Sequence, residues 1–302
     1  MRTLFVLAAL VAAAAGAFWW LTAPEPLAAG ALPATHQPDL ANGERVFWAA
    51  GCASCHAADR AEGDARLVLS GGLRLATPLG PITVPNISPD PERGIGNWTT
   101  AEFANALTRG LSPEGTYYTP AFPWTSYRFM RPEDVVDLKA FLDTLPPSDN
   151  AAEPSGLPFP WSWRRPVGLW ARFVMTSPPA APAGADAAVA RGHYLVTALG
   201  HCGECHTPRN LLFALDPGRW LAGAPNPEGR GTVPNITPSR EGIGDWSPGD
   251  IAYLLESGFT PDFDSVGGSM ASVTRNYAHV PAEDRAAIAA YLKAIAPIPP
   301  PS

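Results

Sequence analysis

Cys52-Ala53-Ser54-Cys55-His56 returns 150 residues later as Cys202-Gly203-Glu204-Cys205-His206. The residues around the pair repeat as well. Thr83-Val84-Pro85-Asn86-Ile87, followed by Gly94-Ile95-Gly96-Asn97-Trp98, is answered by Thr232-Val233-Pro234-Asn235-Ile236 and Gly242-Ile243-Gly244-Asp245-Trp246. Pro132-Glu133-Asp134 is answered by Ala282-Glu283-Asp284. Self-similarity at so constant a spacing means two copies of one unit, differing by a few loop insertions. The first copy is expected over 41–147 and the second over 188–297, with a proline- and tryptophan-rich strap at 148–187 between them. Residues 1–24 read as a membrane anchor or signal peptide, 25–40 as a linker and 298–302 as a tail.

Composition narrows the class. Of 302 residues, 46% are hydrophobic and only 16% charged, enough apolar material for a real core. The net charge of −7 argues against a nucleic-acid partner. Four cysteines in two pairs are too few for a disulfide scaffold. An apolar run from Leu4 to Leu21 follows Arg2 and ends in Phe18-Trp19-Trp20. That length suits a membrane-spanning helix, with the positive charge inside and the tryptophans at the exit interface. Small residues at Ala28 and Gly30 leave a cleaved signal peptide as the alternative. Both readings export the rest of the chain.

Periodicity is helical at both ends of each copy. Val46 and Phe47 are placed to face a core near the first motif. Val135, Leu138, Phe141 and Leu142 form an apolar stripe at three- and four-residue steps after Pro132. Ile288, Tyr291 and Leu292 repeat it after Pro281. The glycine- and proline-rich middle of each copy shows no strand alternation and reads as loops with one short helix after each Trp. Each copy is therefore mainly α, with long loops around something.

Cys-x-x-Cys-His says what that is. Two cysteines three apart can make thioether bonds to the two vinyl groups of one haem, and the adjacent histidine then reaches the iron. Cys52, Cys55, Cys202 and Cys205 are the expected attachment residues for two covalently bound haem c groups, with His56 and His206 as proximal ligands. A Cys₄ zinc site would need its pairs some 15–20 residues apart. Two local disulfides would leave both histidines unexplained. A thioredoxin-like pair lacks its βαβ context.

Met130 and Met270 are the expected distal ligands. Met270 lies in Gly267-Gly268-Ser269-Met270, ahead of the last helix, and Met130 is the only methionine in the first copy. Aligned on their last helices, the copies place Met270 opposite a residue near Phe122, so the two distal loops differ. Met175 in the strap is a weaker candidate. His36, His193, His201 and His279 read as ordinary surface or loop residues. Asn86, Asn235, Trp98 and Trp246 read equally well as neighbours of a haem edge or as loop packing.

With these residues in view, the chain resembles the dihaem class I cytochromes c. It is similar to the cytochrome c subunits of membrane-bound periplasmic dehydrogenases, of the quinoprotein alcohol and molybdenum nicotinate or aldehyde types. The resemblance covers both copies. It rests on Cys-x-x-Cys-His, the Thr-Val-Pro-Asn-Ile…Gly-Ile-Gly-x-Trp block, and Tyr118-Thr119-Pro120-Ala121-Phe122-Pro123-Trp124-Thr125-Ser126-Tyr127. It implies two tandem class I cytochrome c domains behind one transmembrane helix. It also implies a periplasmic dehydrogenase as electron donor, with another cytochrome or a terminal oxidase of the respiratory chain as acceptor. Those subunits typically carry three haems where this chain has motifs for two, and many relatives have Met where Phe122 stands. The rival reading is a dihaem redox enzyme, thiosulfate dehydrogenase-like or peroxidase-like, with one catalytic haem.

Overall fold

The computed structural model describes residues 1–77, 79–227, 229 and 231–299. The tail expected at 298–302 lies outside the described residues from 300 onward. Twelve α-helices, two short 3-10 helices, one turn of π-helix and two small hairpins account for the regular structure among the described residues. The first helix, α1, runs Arg2–Leu21 with no buried residue, and it is apolar and long enough to cross a membrane.

The first repeat follows with α2 (Leu40–Ala49), α3 (Cys52–His56), α4 (Thr100–Arg109), α5 (Trp124–Tyr127) and α6 (Pro132–Leu142). A short amphipathic helix, α7 (Arg165–Phe173), lies in the strap. The second repeat has α8 (Ala187–Tyr194), α9 (Gly203–His206), α10 (Pro248–Ser257), α11 (Ser269–Tyr277) and α12 (Ala282–Ala294). One turn of π-helix at Leu195–Leu199 continues α8.

Local chemistry explains the boundaries. Asp39 caps α2 by accepting from the Ala41 and Asn42 amides, and Asp186 caps α8 through the Val189 amide. After each Trp of the repeat a capping box opens a helix, Thr99 with Glu102 for α4 and Ser247 with Asp250 for α10. Gly110 and Gly258 close those helices in the left-handed conformation.

In each repeat the first and last helices cross in contact, α2 on α6 and α8 on α12. A glycine sits at both crossings. A Cβ on Gly43 would come within 2.3 Å of the Asp137 carbonyl, and one on Gly192 within 1.9 Å of the Ala287 carbonyl. Gly43→Ala and Gly192→Ala are each expected to lower the melting temperature, at a cost of about 1–3 kcal/mol for overpacking. Thermal unfolding followed by circular dichroism checks this. Around the crossings, Val46, Phe47, Leu138 and Leu142 are buried in the first repeat, and Leu195, Leu199, Ile288 and Tyr291 in the second.

The middle of each repeat departs from the expectation of loops alone. Arg74–Thr77 (β1) pairs antiparallel with Gly80–Thr83 (β2), and Ala224–Pro225 (β3) with Thr232–Val233 (β4). These strands span only four and two residues and include Pro81 and Pro225, too short for alternation to register. The segment expected as a linker is docked. The Leu27 amide donates to Asn105 Oδ1 at 2.7 Å, and His36 Nε2 lies 2.6 Å from Asp137 Oδ1.

Candidate functional site

Each Cys-x-x-Cys-His motif forms its own short helix, α3 or α9, directly after the core helix of its repeat. Gly51, with φ of 73°, supplies the left-handed turn before α3. His201 takes φ of 40° ahead of α9. The two histidines are held identically. His56 Nδ1 bonds the Pro85 carbonyl at 2.8 Å, and His206 Nδ1 bonds the Pro234 carbonyl at 2.8 Å. A carbonyl can only accept, so Nδ1 carries the proton and Nε2 keeps the lone pair a metal needs. Burial pushes the His56 imidazole down to about 4 and lowers that of His206, so both rings are neutral at pH 7. The Pro-Asn-Ile block of the repeat therefore orients the imidazole through its proline carbonyl, a role the sequence did not show.

This donor set fits haem c. The cysteine pairs do not converge on one another, and among the described residues no cluster of three or more His, Cys, Asp or Glu side chains could hold a metal ion by itself.

Met270 sits in the first turn of α11, half-buried against the core. Met130 is placed differently. It is 6% exposed within the core, and its amide donates to the Tyr127 carbonyl just as the Val280 amide donates to that of Tyr277. Met130 thus occupies the place of a valine in the second repeat, while Phe122 lies before α5, half-buried against the core and 5.9 Å from the Tyr127 ring. Met175 lines a small pocket with Thr125, Ser126, Trp170 and Glu204.

The asparagines staple loops. Asn86 Nδ2 donates to the Ser148 and Asn150 carbonyls, and Asn235 Nδ2 to the Ile298 carbonyl. Trp98 and Trp246 pack half-buried against the core. All four histidines read as ordinary make specific contacts, His36 with Asp137. His193 Nε2 meets the Pro179 carbonyl at 2.9 Å, His201 packs edge-on to Tyr127, and His279 stacks on Trp48 at 4.0 Å.

The helices α3 and α9 face one seam, and each is bonded to the segment ahead of the last helix of the other repeat. Glu204 of α9 accepts from Thr125 Oγ1 at 2.5 Å and Ser126 Oγ at 2.9 Å, both on α5, and pairs with Arg209. Reciprocally, Asn276 of α11 donates from Nδ2 to Ser54 Oγ of α3 at 2.8 Å. Tyr277 donates across the seam to the Ala49 carbonyl, where Tyr127 donates to Ala50 within its own repeat. Tyr194 gives its hydroxyl proton to Asp134 at 2.5 Å and accepts from the Arg131 amide.

Residues 40–146 match the Cytochrome c family. A "Diheme cytochrome c-type" protein of Cereibacter sphaeroides is 56% identical over 299 residues, covering 97% of this chain and 98% of that protein. The chain belongs to the cytochrome c family. The cytochrome is also 36% identical to the fructose dehydrogenase cytochrome subunit of Gluconobacter japonicus, over 91% of this chain and 55% of that subunit. It is 37% identical to the cytochrome c subunit of a quinone alcohol dehydrogenase of Gluconacetobacter polyoxogenes, over 91% of this chain and 60% of that subunit. The cytochrome therefore spans little more than half the length of these dehydrogenase subunits.

Proposed function

We propose that the cytochrome is a membrane-tethered, periplasmic dihaem carrier built of two tandem class I domains. In this reading Cys52 and Cys55 hold one haem c, and Cys202 and Cys205 the other. His56 and His206 are the proximal ligands and Met130 and Met270 the distal ones. The haems supply the one-electron chemistry. The chain fixes the imidazoles, keeps them neutral and sets the spacing of the two sites. It takes electrons from a dehydrogenase and delivers them to another cytochrome or a terminal oxidase.

The observation that carries this reading is the seam. A molecule relaying single electrons between two centres gains from holding the attachment helices rigidly together, and the Glu204 and Asn276 bonds do that across the repeat boundary. Hydrogen bonds to a charged group contribute about 1.5–3 kcal/mol. Glu204→Ala is expected to slow electron exchange between the haems while leaving both spectra unchanged, checked by flash photoreduction. Equal rates in the variant and the parent would remove the seam from the account.

One observation favours a second reading, a dihaem redox enzyme. The core position of Met130 leaves room for a first haem ligated otherwise. Cyanide or carbon monoxide binding at one haem alone would support it.

A further inference from the structure

The strap gathers exposed apolar side chains around the point where α1 ends. Arg165 grips that end, donating from Nε to Thr22 Oγ1 at 2.9 Å and from Nη2 to the Trp19 carbonyl at 2.7 Å. Its guanidinium also lies 3.8 Å from the centre of the Trp19 ring. Trp163 packs on Phe18 at 5.4 Å, and Arg172 pairs with Glu25. Gly168 permits the contact, since a Cβ there would meet the Tyr117 ring at 2.7 Å and the Thr22 carbonyl at 3.0 Å. The strap is thus fixed to the exit of α1.

Its outward side is apolar. Phe159 is 79% exposed and Phe173 64%, with Trp161 also exposed. A second loop is drawn to the same place, because Trp170 Nε1 donates to the Leu212 carbonyl at 2.7 Å and Thr176 Oγ1 to the Leu215 carbonyl at 2.8 Å. In that loop Leu211 is 99% exposed, Leu212 and Phe213 are also exposed, and Phe213 is held at φ of 63°. A bulky residue in the left-handed region is uncommon, and here it shapes a tip of three apolar side chains. Residues 161–175 contain three arginines and no acidic residue, in a chain of net charge −7.

We infer that α7, its flanking aromatics and the 211–213 loop lie on an anionic lipid surface and fix the tilt of both repeats over the membrane. The inference rests on the reading of α1 as the membrane span. The patch continues from the exit of that span, and aromatic rings mixed with arginines suit the headgroup zone of a bilayer. With Arg172 paired to Glu25, the positive charge of Arg164 and Arg165 complements anionic headgroups and not the acidic remainder of the chain.

Photoactivatable phospholipid in vesicles of phosphatidylcholine with phosphatidylglycerol tests this on the purified full-length holoprotein, with adducts mapped by mass spectrometry. Adducts are expected on α1, on peptides covering 159–173, and on those covering 211–213. Phe173→Glu combined with Leu211→Glu should abolish the strap and loop adducts while leaving those on α1 and the visible spectrum unchanged. Adducts on α1 alone would overturn the inference and leave the anchor standing. Adducts on neither would remove the anchor reading and the inference with it. Strap adducts undiminished in vesicles of phosphatidylcholine alone would overturn the role of anionic headgroups.

Discussion

A chain carrying Cys202→Ala and Cys205→Ala is expected to retain one covalently bound haem instead of two, halving the haem absorbance per chain. The second repeat should also unfold at markedly lower temperature than the first. The reason lies in how α9 is seated. A Cβ on Gly203 would come within 2.2 Å of the Trp220 ring, so the attachment helix rests directly on the core. Trp220 is buried, and its indole N–H bonds the Tyr291 hydroxyl on α12 at 3.2 Å. A haem tethered by thioethers stays with the unfolded chain, so it stabilises through the apolar burial and iron ligation that only the folded repeat provides, and its loss removes both. Absorbance per chain and calorimetry measure both effects. Retention of two covalent haems would show that these cysteines are not the attachment points.

The distal ligands give the second large effect. Met270→Ala is expected to remove the near-infrared methionine-to-iron band of one haem. It should also lower that haem's potential by a sizeable part of the roughly 0.8 V that axial ligands span. Met130→Ala is expected to do the same for the other haem. The first repeat makes this test sharp, because Met130 stands where Val280 stands in the second, deep in the core. A band left intact by Met130→Ala, with only the loss of about 2–5 kcal/mol that follows Met→Ala in a core, would make Met130 a packing residue. The enzyme reading of the first haem takes precedence if that haem shows no methionine band in the unsubstituted chain.

Much of this was written in local spacing. Cys-x-x-Cys-His, the stripe Val135, Leu138, Phe141 and Leu142, and the short helix after each Trp each declare themselves within a dozen residues. The hairpins did not, because strands of two and four residues holding prolines carry no readable alternation. The seam could not be read at all. Glu204 meets Thr125 across 79 residues and Asn276 meets Ser54 across 222, and neither pair has a periodic signature. The partner of His56 and His206 was hidden for another reason. Pro85 and Pro234 act through backbone carbonyls, which every residue possesses. From sequence alone, their asparagine neighbours fit a haem edge and loop packing equally well.

The most direct measurement is pyridine haemochrome quantitation per chain on purified protein, before and after denaturation and acid–acetone extraction. Two haems per chain that survive extraction are predicted. One haem per chain, or haem released into the solvent, would contradict two covalently loaded repeats.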